Sequence, residues 1–220
     1  MIHFLKKIRN FILPDIWKKT EDAFDYSAFG AINTTRFVVL DTETTGFDFE
    51  NDRILCIGAI VLQNNAIAIQ DGFEVYIEQE HYNQATAQIH GILKDFVLDR
   101  PNEKEALEQF LVFLGDSIII AHHTGFDVTM INKALERNGL PELKNPSLDT
   151  AILYKKTLIN SYLLERKDRY SLDDLADKFD ISKKDRHTAM GDAYITAIAF
   201  LIILKKLKEK GEVTWEVLFR

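Results

Sequence analysis

The sequence predicts an α/β protein with a mixed β-sheet flanked by helices. Three runs rich in β-branched residues follow one another between residues 36 and 77. From residue 103 onward, segments with helical periodicity alternate with short apolar runs. Strands followed by alternating helices and strands are typical of a mixed sheet covered by helices. With 220 residues, 46% of them hydrophobic, the chain is long enough for one domain with a sizeable core.

The predicted elements follow in chain order. The strands are residues 36–40, 54–62, 66–77, 117–121 and 148–150. The turn at 63–65 joins the second and third strands into a hairpin. The helices are residues 103–114, 126–138, 171–179 and 188–210, with a further helix opening after residue 150. Ser171 and Asp174 form a capping-box pattern, and Gly211 is expected to end the last helix.

Residues 1–35 differ from the rest and are expected to form a basic, helical N-terminal arm. The first twenty residues carry five basic side chains and one acid, and an apolar stripe at helical spacing runs up to Pro14. We expect the arm to pack on the main domain, because the stripe would otherwise leave a large apolar surface in water. A docking helix for a partner and a segment lying on an anionic membrane are the alternatives. The main domain is expected over residues 36–210, with a tail at 211–220.

The sequence predicts a cytoplasmic protein. No secretory signal is visible at the N-terminus. The single cysteine, Cys56, lies in the apolar run 54–57, which indicates a buried hydrophobic residue in a reducing compartment. The most apolar late stretch, residues 195–204, is about half the ~20 residues that span a bilayer. It therefore predicts a core helix and no integral membrane association.

The charge balance excludes one class of nucleic-acid protein. The net charge is −7, and a chain this acidic should not coat long nucleic acid by bulk electrostatics. A nucleic-acid function needs a local site with bound cations.

Two carboxylates follow the first predicted strand, in the segment DTETTG at residues 41–46. Asp41 and Glu43 project from the same face of the strand, because successive strand side chains alternate. Adjacent carboxylates repel each other unless a positive charge lies between them. A magnesium ion suits such a pair, since it favours one or two carboxylates with waters and phosphate oxygens. The alternative is a solvated strand end.

Two further segments carry candidate functional residues. Asp127 lies in the first turn of a helix, where an acid is often only a partner of the helix dipole. Adjacent His122 and His123 precede it, but the chain lacks the cysteines or second histidine pair of a tetrahedral zinc site. His187 lies in a loop before the helix that carries Asp192, so it is either a proton acceptor near neutral pH or an exposed loop residue.

Together these segments resemble the three exonuclease motifs of the DEDDh (DnaQ-like) 3′–5′ exonuclease family, over roughly residues 36–205. The segments that carry the resemblance, in chain order, are Asp41-x-Glu43 with Thr44-Thr45-Gly46, then Phe126-Asp127, then His187-x-Ala189-x-x-Asp192. The resemblance implies a ribonuclease H-like mixed sheet. It also implies two metal ions, Mg²⁺ or Mn²⁺, shared among Asp41, Glu43, Asp127 and Asp192, and His187 as the general base that deprotonates the attacking water.

Other positions match the family in ways that concern the substrate. The candidate substrate-binding residues are Thr44, Thr45, Gly46, His90 and Phe126. His90 and Phe126 are equally suited to the core. His123 stands where the family usually has asparagine. The basic cluster at 183–186 either grips the phosphate backbone or is a solvated loop.

Three functional classes follow from the sequence. The first is a 3′–5′ exonuclease acting on the 3′ ends of DNA, with single-stranded or frayed ends preferred. The second is an RNA-trimming exoribonuclease of the same family, and the third is a non-catalytic nucleic-acid-binding module. All five acidic and histidine positions are present, which disfavours the third class. The DTETTG form of the first motif resembles the polymerase-associated proofreading branch of the family more than the oligoribonucleases, which favours DNA over RNA. A polymerase or another protein is therefore a candidate partner.

Overall fold

The structure of the protein is a computed structural model that describes residues 29–81, 83–92, 99–158 and 167–220. The strands are β1 (Phe37–Thr44), β2 (Ile54–Gln63), β3 (Ala66–Tyr76), β4 (Ile118–Ala121) and β5 (Ser147–Asp149). The helices are α1 (Gln84–His90), α2 (Glu103–Leu114), α3 (Gly125–Arg137), α4 (Thr150–Thr157), α5 (Leu172–Phe179), α6 (Ala189–Lys210) and α7 (Trp215–Phe219).

The five strands form one mixed sheet in the order β3-β2-β1-β4-β5. β1 pairs antiparallel with β2 and parallel with β4, and the outer strands β3 and β5 extend these two pairings. The predicted mixed sheet flanked by helices is confirmed. The hairpin between β2 and β3 turns through Asn64 and Asn65, both with positive φ, a conformation that asparagine tolerates better than most residues.

Helices cover both faces of the sheet. Alternate residues of β1 enter different cores: Phe37 and Val39 pack with α4, α5 and α6, whereas Val38 and Leu40 pack with α2 and α3. This alternation follows from the two-residue period of a strand. The apolar stretch at 195–204 is part of α6 and supplies much of the first core, as predicted. None of the described helices has the length and apolar character needed to cross a membrane.

The structure extends the sequence interpretation at several points. β1 continues to Thr44, beyond the predicted end at residue 40, because its ladder with β2 persists through Asp41 and Glu43. The short helices α1 and α7 were not predicted. α1 buries only Ala87 and His90, so its sequence carries little helical periodicity.

The N-terminal arm lies largely outside the described residues. At its described end, Phe29 packs against Trp215 with ring centroids 4.8 Å apart, and the Gly30 carbonyl accepts a hydrogen bond of 3.0 Å from the Trp215 indole. Trp215 and Leu218, within the predicted tail at 211–220, are buried in the core. Cys56 is buried as predicted, and burial raises the pKa of its thiol.

Close packing between α6 and β2 positions one end of the sheet. Gly58 of β2 stands opposite Asp41 in the ladder, and the start of α6 crosses over it. A β-carbon at Gly58 would lie within 3.0 Å of the backbone of Ala189 and Met190. The absence of a side chain at this position therefore lets the first turn of α6 approach the sheet.

We expect Gly58→Ala to lower the free energy of unfolding by about 1–3 kcal/mol, because the added methyl group overpacks this contact. Denaturant unfolding measures the change. Gly125→Ala is the matched control, since a β-carbon at Gly125 meets nothing within 4 Å and alanine favours a helix. Equal stabilities of the two variants would contradict the close approach of α6 to β2.

Candidate active site

Three of the predicted carboxylates converge at the end of β1. Asp41 and Glu43 extend from one face of the strand, and Asp192 extends from the first turn of α6. One carboxylate oxygen from each residue lies within 4.8 Å of the others. Asp192 therefore lies close to Asp41 and Glu43, although at least 149 positions separate it from them in the sequence.

The start of α6 is set by its capping residue. The Thr188 hydroxyl accepts a hydrogen bond of 3.1 Å from the Gly191 amide, and the Thr188 carbonyl accepts one of 2.9 Å from the Asp192 amide. A β-carbon at Gly191 would collide with the Asp185 carbonyl, so the preceding loop folds tightly over the helix. This cap orients the Asp192 carboxylate toward β1.

The fourth carboxylate, Asp127, arrives from the other side of the sheet. It is buried in the first turn of α3, and its Oδ1 accepts hydrogen bonds from the Thr42 amide and hydroxyl. Asp127 is not a member of the mutually close trio, but its charge helps to raise the pKa of Asp41. The structure thus brings all four predicted carboxylates to one end of β1.

His187 lies on the exposed side of this cluster. Its φ of 65° places it in the left-handed region, and its amide donates a hydrogen bond of 3.4 Å to Asp192 Oδ1. The left-handed conformation ends the preceding loop beside the first turn of α6. The predicted general base is therefore next to the carboxylates and accessible to solvent.

Arg186 is a site residue that the sequence interpretation did not identify. It was predicted to be part of a basic cluster that either grips phosphate or is solvated. In the structure its Nη1 pairs with Asp192 Oδ2, and its Nε donates to Asp173 Oδ1 at 2.9 Å. Lys183 of the same cluster pairs with Asp177. The sequence carries no signal for these pairs, because they depend on how the loop between α5 and α6 closes.

Burial and mutual repulsion weaken the acidity of the cluster. Burial first, then the charges of Asp127, Asp192 and Glu43, raise the pKa of Asp41 well above its ordinary value. Burial, followed by the Asp192 charge, raises the pKa of Glu43 to about 7. Burial also raises the pKa of Asp127 to about 7 against its hydrogen bonds from Thr42, and raises the pKa of Asp192 against the pull of Arg186.

The threonines after β1 use their hydroxyls within the protein. Thr44 donates to the Gly46 carbonyl at 2.7 Å, and Thr45 donates to Asp52 Oδ1 at 2.7 Å. A β-carbon at Gly46 would collide with the Asp52 carboxylate, so glycine permits this closure. Of these candidate substrate-binding residues, the threonines serve mainly to shape the loop. The Thr45 backbone is engaged as well, since its amide donates to the Arg53 carbonyl and its carbonyl accepts from the Asn83 side chain.

An exposed aromatic surface lies beside the carboxylates. Phe126 precedes Asp127, and its ring contacts those of Phe47 and Phe49 at centroid distances of 5.6 and 5.7 Å. The Phe47 side chain is 81% exposed. Phe47 and Phe49 were not singled out from the sequence, although large apolar residues directly after a polar turn were a usable signal.

His90 ends α1 as a buried residue. Its Nδ1 accepts a hydrogen bond of 3.0 Å from the Ile92 amide, while its Nε2 is buried and has no hydrogen-bond partner in the described part of the chain. Burial lowers the pKa of His90, which favours the neutral ring. The hydrogen bond from Ile92 to Nδ1 therefore fixes the His90 ring locally, while Nε2 has no partner among the described residues.

The adjacent histidines are not arranged as zinc ligands. His122 Nε2 donates to the Tyr170 carbonyl at 3.0 Å, and Nδ1 lies 2.9 Å from the Thr150 hydroxyl, which donates to it in this tautomer. Burial lowers the pKa of His122 to about 4, so the ring is neutral. His122 therefore links the end of β4 to α4 and to the loop before α5.

The donor set suits a hard divalent cation. The clustered oxygens of Asp41, Glu43 and Asp192 are the ligand type that Mg²⁺ and Mn²⁺ prefer, and their separation of up to 4.8 Å fits ligands around a single ion. A cation between them also offsets the repulsion that, after burial, raises the pKa values of Asp41 and Glu43. The residues present therefore fit a divalent metal.

This fold and carboxylate cluster define a nuclease, and the comparison with protein families agrees. The family model RNase_T, described as exonuclease, matches residues 38–200. The chain belongs to this DnaQ-like exonuclease family, and its sheet is the ribonuclease H-like sheet of the family.

Similar proteins include parts of much longer chains. PolC-type DNA polymerase III of Caldanaerobacter subterraneus subsp. tengcongensis is 35% identical over 176 residues, which are 80% of this chain and 12% of that protein. The Thermotoga maritima protein of the same name is 31% identical over 205 residues, which are 93% of this chain and 14% of that protein. The chain therefore spans about one seventh or less of the length of these relatives.

Solved structures with the same fold include two exonucleases. Escherichia coli exonuclease I in complex with a dT13 oligonucleotide gives a TM-score of 0.69 at 17% identity, covering 80% of this chain and 42% of that chain. Exonuclease X in complex with 5′ overhanging duplex DNA gives a TM-score of 0.62 at 20% identity, covering 84% of this chain and 98% of that chain. These similarities establish the shared fold.

We expect the metal-free protein to lose stability as the pH rises from about 5 to about 8. Folding raises the pKa of Glu43 from 4.5 to about 7, so over this interval the unfolded chain binds fewer protons than the native one. The free energy of unfolding therefore falls with rising pH. Thermal melts with and without excess Mn²⁺ measure the effect, and Mn²⁺ should raise the melting temperature most at the high-pH end.

Glu43→Gln isolates this contribution. The variant should be more stable than the wild type at pH 8 without metal and gain little at pH 5, since the wild-type carboxyl is already protonated there in the folded protein. Asp71→Asn, an exposed acid on β3, is the control and should leave the difference between the two pH values unchanged. An equal gain of Glu43→Gln at both pH values would contradict the raised pKa.

Proposed function

We propose that this chain is a metal-dependent 3′–5′ exonuclease that hydrolyses the terminal phosphodiester bond at the 3′ end of DNA. One observation carries the proposal: four carboxylates from β1, α3 and α6 converge beside an exposed aromatic surface. We assign two Mg²⁺ or Mn²⁺ ions to the site, shared among Asp41, Glu43, Asp127 and Asp192. Two such ions, when bound, neutralise the phosphate and stabilise both the attacking and the leaving oxygen.

The protein itself supplies position and charge. Asp41 and Glu43 are fixed by the ladder between β1 and β2, and Asp192 by the cap of α6. Four carboxylates balance two divalent ions. The same ions allow a chain of net charge −7 to hold a polyanion at one point, because they supply positive charge locally.

His187 is assigned as the general base. Its loop position next to Asp192 leaves the ring free to move toward a water molecule at the carboxylates. Its amide anchors the backbone while the side chain remains exposed. A neutral imidazole accepts a proton near pH 7 more readily than any unperturbed side chain of another type.

The aromatic surface favours unpaired 3′ ends. Phe47 is largely exposed and contacts Phe126, whose neighbour in the sequence is Asp127. Bases stack on exposed aromatic rings regardless of their identity, but a base has a free face only when it is unpaired or frayed. His90 Nε2, which is buried without a partner in the described residues, supports the predicted substrate contact in the segment around α1.

The relatives suggest a context for the activity. The matched regions belong to proteins named DNA polymerase III, and exonuclease I and exonuclease X were solved with DNA. We therefore assign DNA as the substrate and replication or repair as the setting, with a polymerase as a candidate partner. An RNA-trimming exonuclease remains the competing function, since the carboxylate cluster acts on either polymer.

The test is digestion of 5′-labelled oligonucleotides with Mg²⁺ or Mn²⁺. We expect products shortened stepwise from the 3′ end, no reaction in EDTA, and a loss of several orders of magnitude in Asp192→Asn, because that substitution removes a metal-binding charge. Asp71→Asn is the control and should keep wild-type activity, since Asp71 lies near Arg36 at the opposite end of β1. Robust digestion by Asp192→Asn would exclude the assignment.

The substrate panel for this digestion consists of single-stranded DNA, duplex DNA with a mismatched or matched 3′ terminus, and RNA. Single-stranded and mismatched ends should be degraded faster than matched ends at equal salt, and Phe47→Ser should reduce this preference because it removes the exposed ring. Faster digestion of RNA than of DNA would favour the competing function.

We expect His187→Asn to lower the turnover rate by roughly 10²–10⁴, the usual contribution of a positioned acid–base group. Asparagine is chosen because it tolerates the left-handed backbone of this position. Rates measured against pH at saturating metal report on the histidine, since the bound ions keep the carboxylates ionised. If the variant keeps the wild-type pH profile and rate, another group is the base.

A further inference from the structure

Thr42 holds the carboxylate that comes from the far side of the sheet. The Thr42 amide donates to Asp127 Oδ1 at 3.0 Å, and the Thr42 hydroxyl donates to the same oxygen at 2.8 Å. Both side chains are buried, with 7% and 3% of their surface exposed. Hydrogen bonds to a carboxylate are stronger than neutral ones, and burial removes the competition of water.

The position of Thr42 in β1 explains how it reaches α3. Asp41 and Glu43 face α6, so Thr42 between them faces the opposite side of the sheet, where Val38 and Leu40 pack against α2 and α3. A segment of three residues therefore controls three carboxylates: it carries two of them and binds the third. This arrangement sets the position of α3 relative to the other acids of the site.

We propose that Thr42 is a positioning residue, which fixes the Asp127 carboxylate through its hydroxyl so that Oδ2 is presented toward the other acids. The role rests on the proposed function, because it concerns the same metal-binding cluster. With Oδ1 occupied by two donors, Oδ2 is the oxygen that remains for a cation. The Asp127 amide also donates to this carboxylate, but it belongs to the same residue, so the Thr42 groups are the donors that tie the carboxylate to β1.

The chemistry of threonine allows a clean test. Thr42→Val preserves the shape and strand preference of the side chain but removes its hydroxyl, and the backbone amide still donates. Thr42→Ser retains the hydroxyl and loses only a methyl group. Thr129→Val is the matched control: it is the same change on the helix that carries Asp127, but the Thr129 hydroxyl bonds only to the Gly125 carbonyl of that helix.

The experiment measures Mn²⁺ affinity by calorimetry at pH 8, together with kcat and KM at saturating Mn²⁺. We expect Thr42→Val to bind Mn²⁺ about 10-fold more weakly, in line with the loss of a group that orients a metal ligand. Its kcat should fall while KM changes little. Thr42→Ser and Thr129→Val should match the wild type in both measurements.

Wild-type Mn²⁺ affinity and kcat in Thr42→Val would overturn the proposal, as would equal losses in Thr42→Val and Thr42→Ser, which would indicate methyl packing instead. Thr42→Ala removes the same hydroxyl and replaces Thr42→Val in both measurements if the valine variant does not fold. Failure of the proposed function gives a different result: the wild type would degrade no nucleic acid, while weaker Mn²⁺ binding by Thr42→Val would still support positioning.

Discussion

The crowding of four carboxylates at one end of β1, two of them buried and two partly buried, is the constraint on which the rest of this structure depends. Burial, followed by the charge of Asp127, raises the pKa of Asp41, and burial raises the pKa of Asp127. Such a cluster forms only if the fold imposes it. The elements that hold the carboxylates together are the central strand β1, which is paired on both sides, and the helices α3 and α6, whose first turns lie at its end.

Local contacts lower the cost of this arrangement. Arg186 pairs with Asp192 and is itself held by Asp173, which adds a positive charge at the edge of the cluster. Thr42 donates two hydrogen bonds to Asp127. Gly58 lets α6 approach the sheet closely enough to place its first turn over β1. The negative charge that these contacts leave uncompensated favours the binding of divalent cations. The same charge is the source of the electrostatic repulsion in the metal-free protein.

Much of the fold could be predicted because local patterns agree with the final structure. The helix at 103–114 has an asparagine cap and a capping box, the helix at 172–179 follows the predicted Ser171 and Asp174 pair, and the hairpin turns at the predicted asparagines. The four acids were identified as a set from the resemblance of their motifs to the exonuclease family, and the structure brings them to one end of β1. The short helices α1 and α7 were missed, since seven and five residues carry too little periodicity to stand out.

The sequence by itself determined the longer helices, the location of all five strands and the family motifs, because these depend on residues adjacent or one helical turn apart. Only the tertiary structure decided that Arg186 pairs with Asp192 and Asp173, that the Thr44 and Thr45 hydroxyls serve the loop, and that Phe47 joins Phe126 in one exposed surface. Each of these contacts joins different elements or depends on how a loop closes. Their partners are selected by the packing of helices on the sheet, and no local periodicity encodes that geometry.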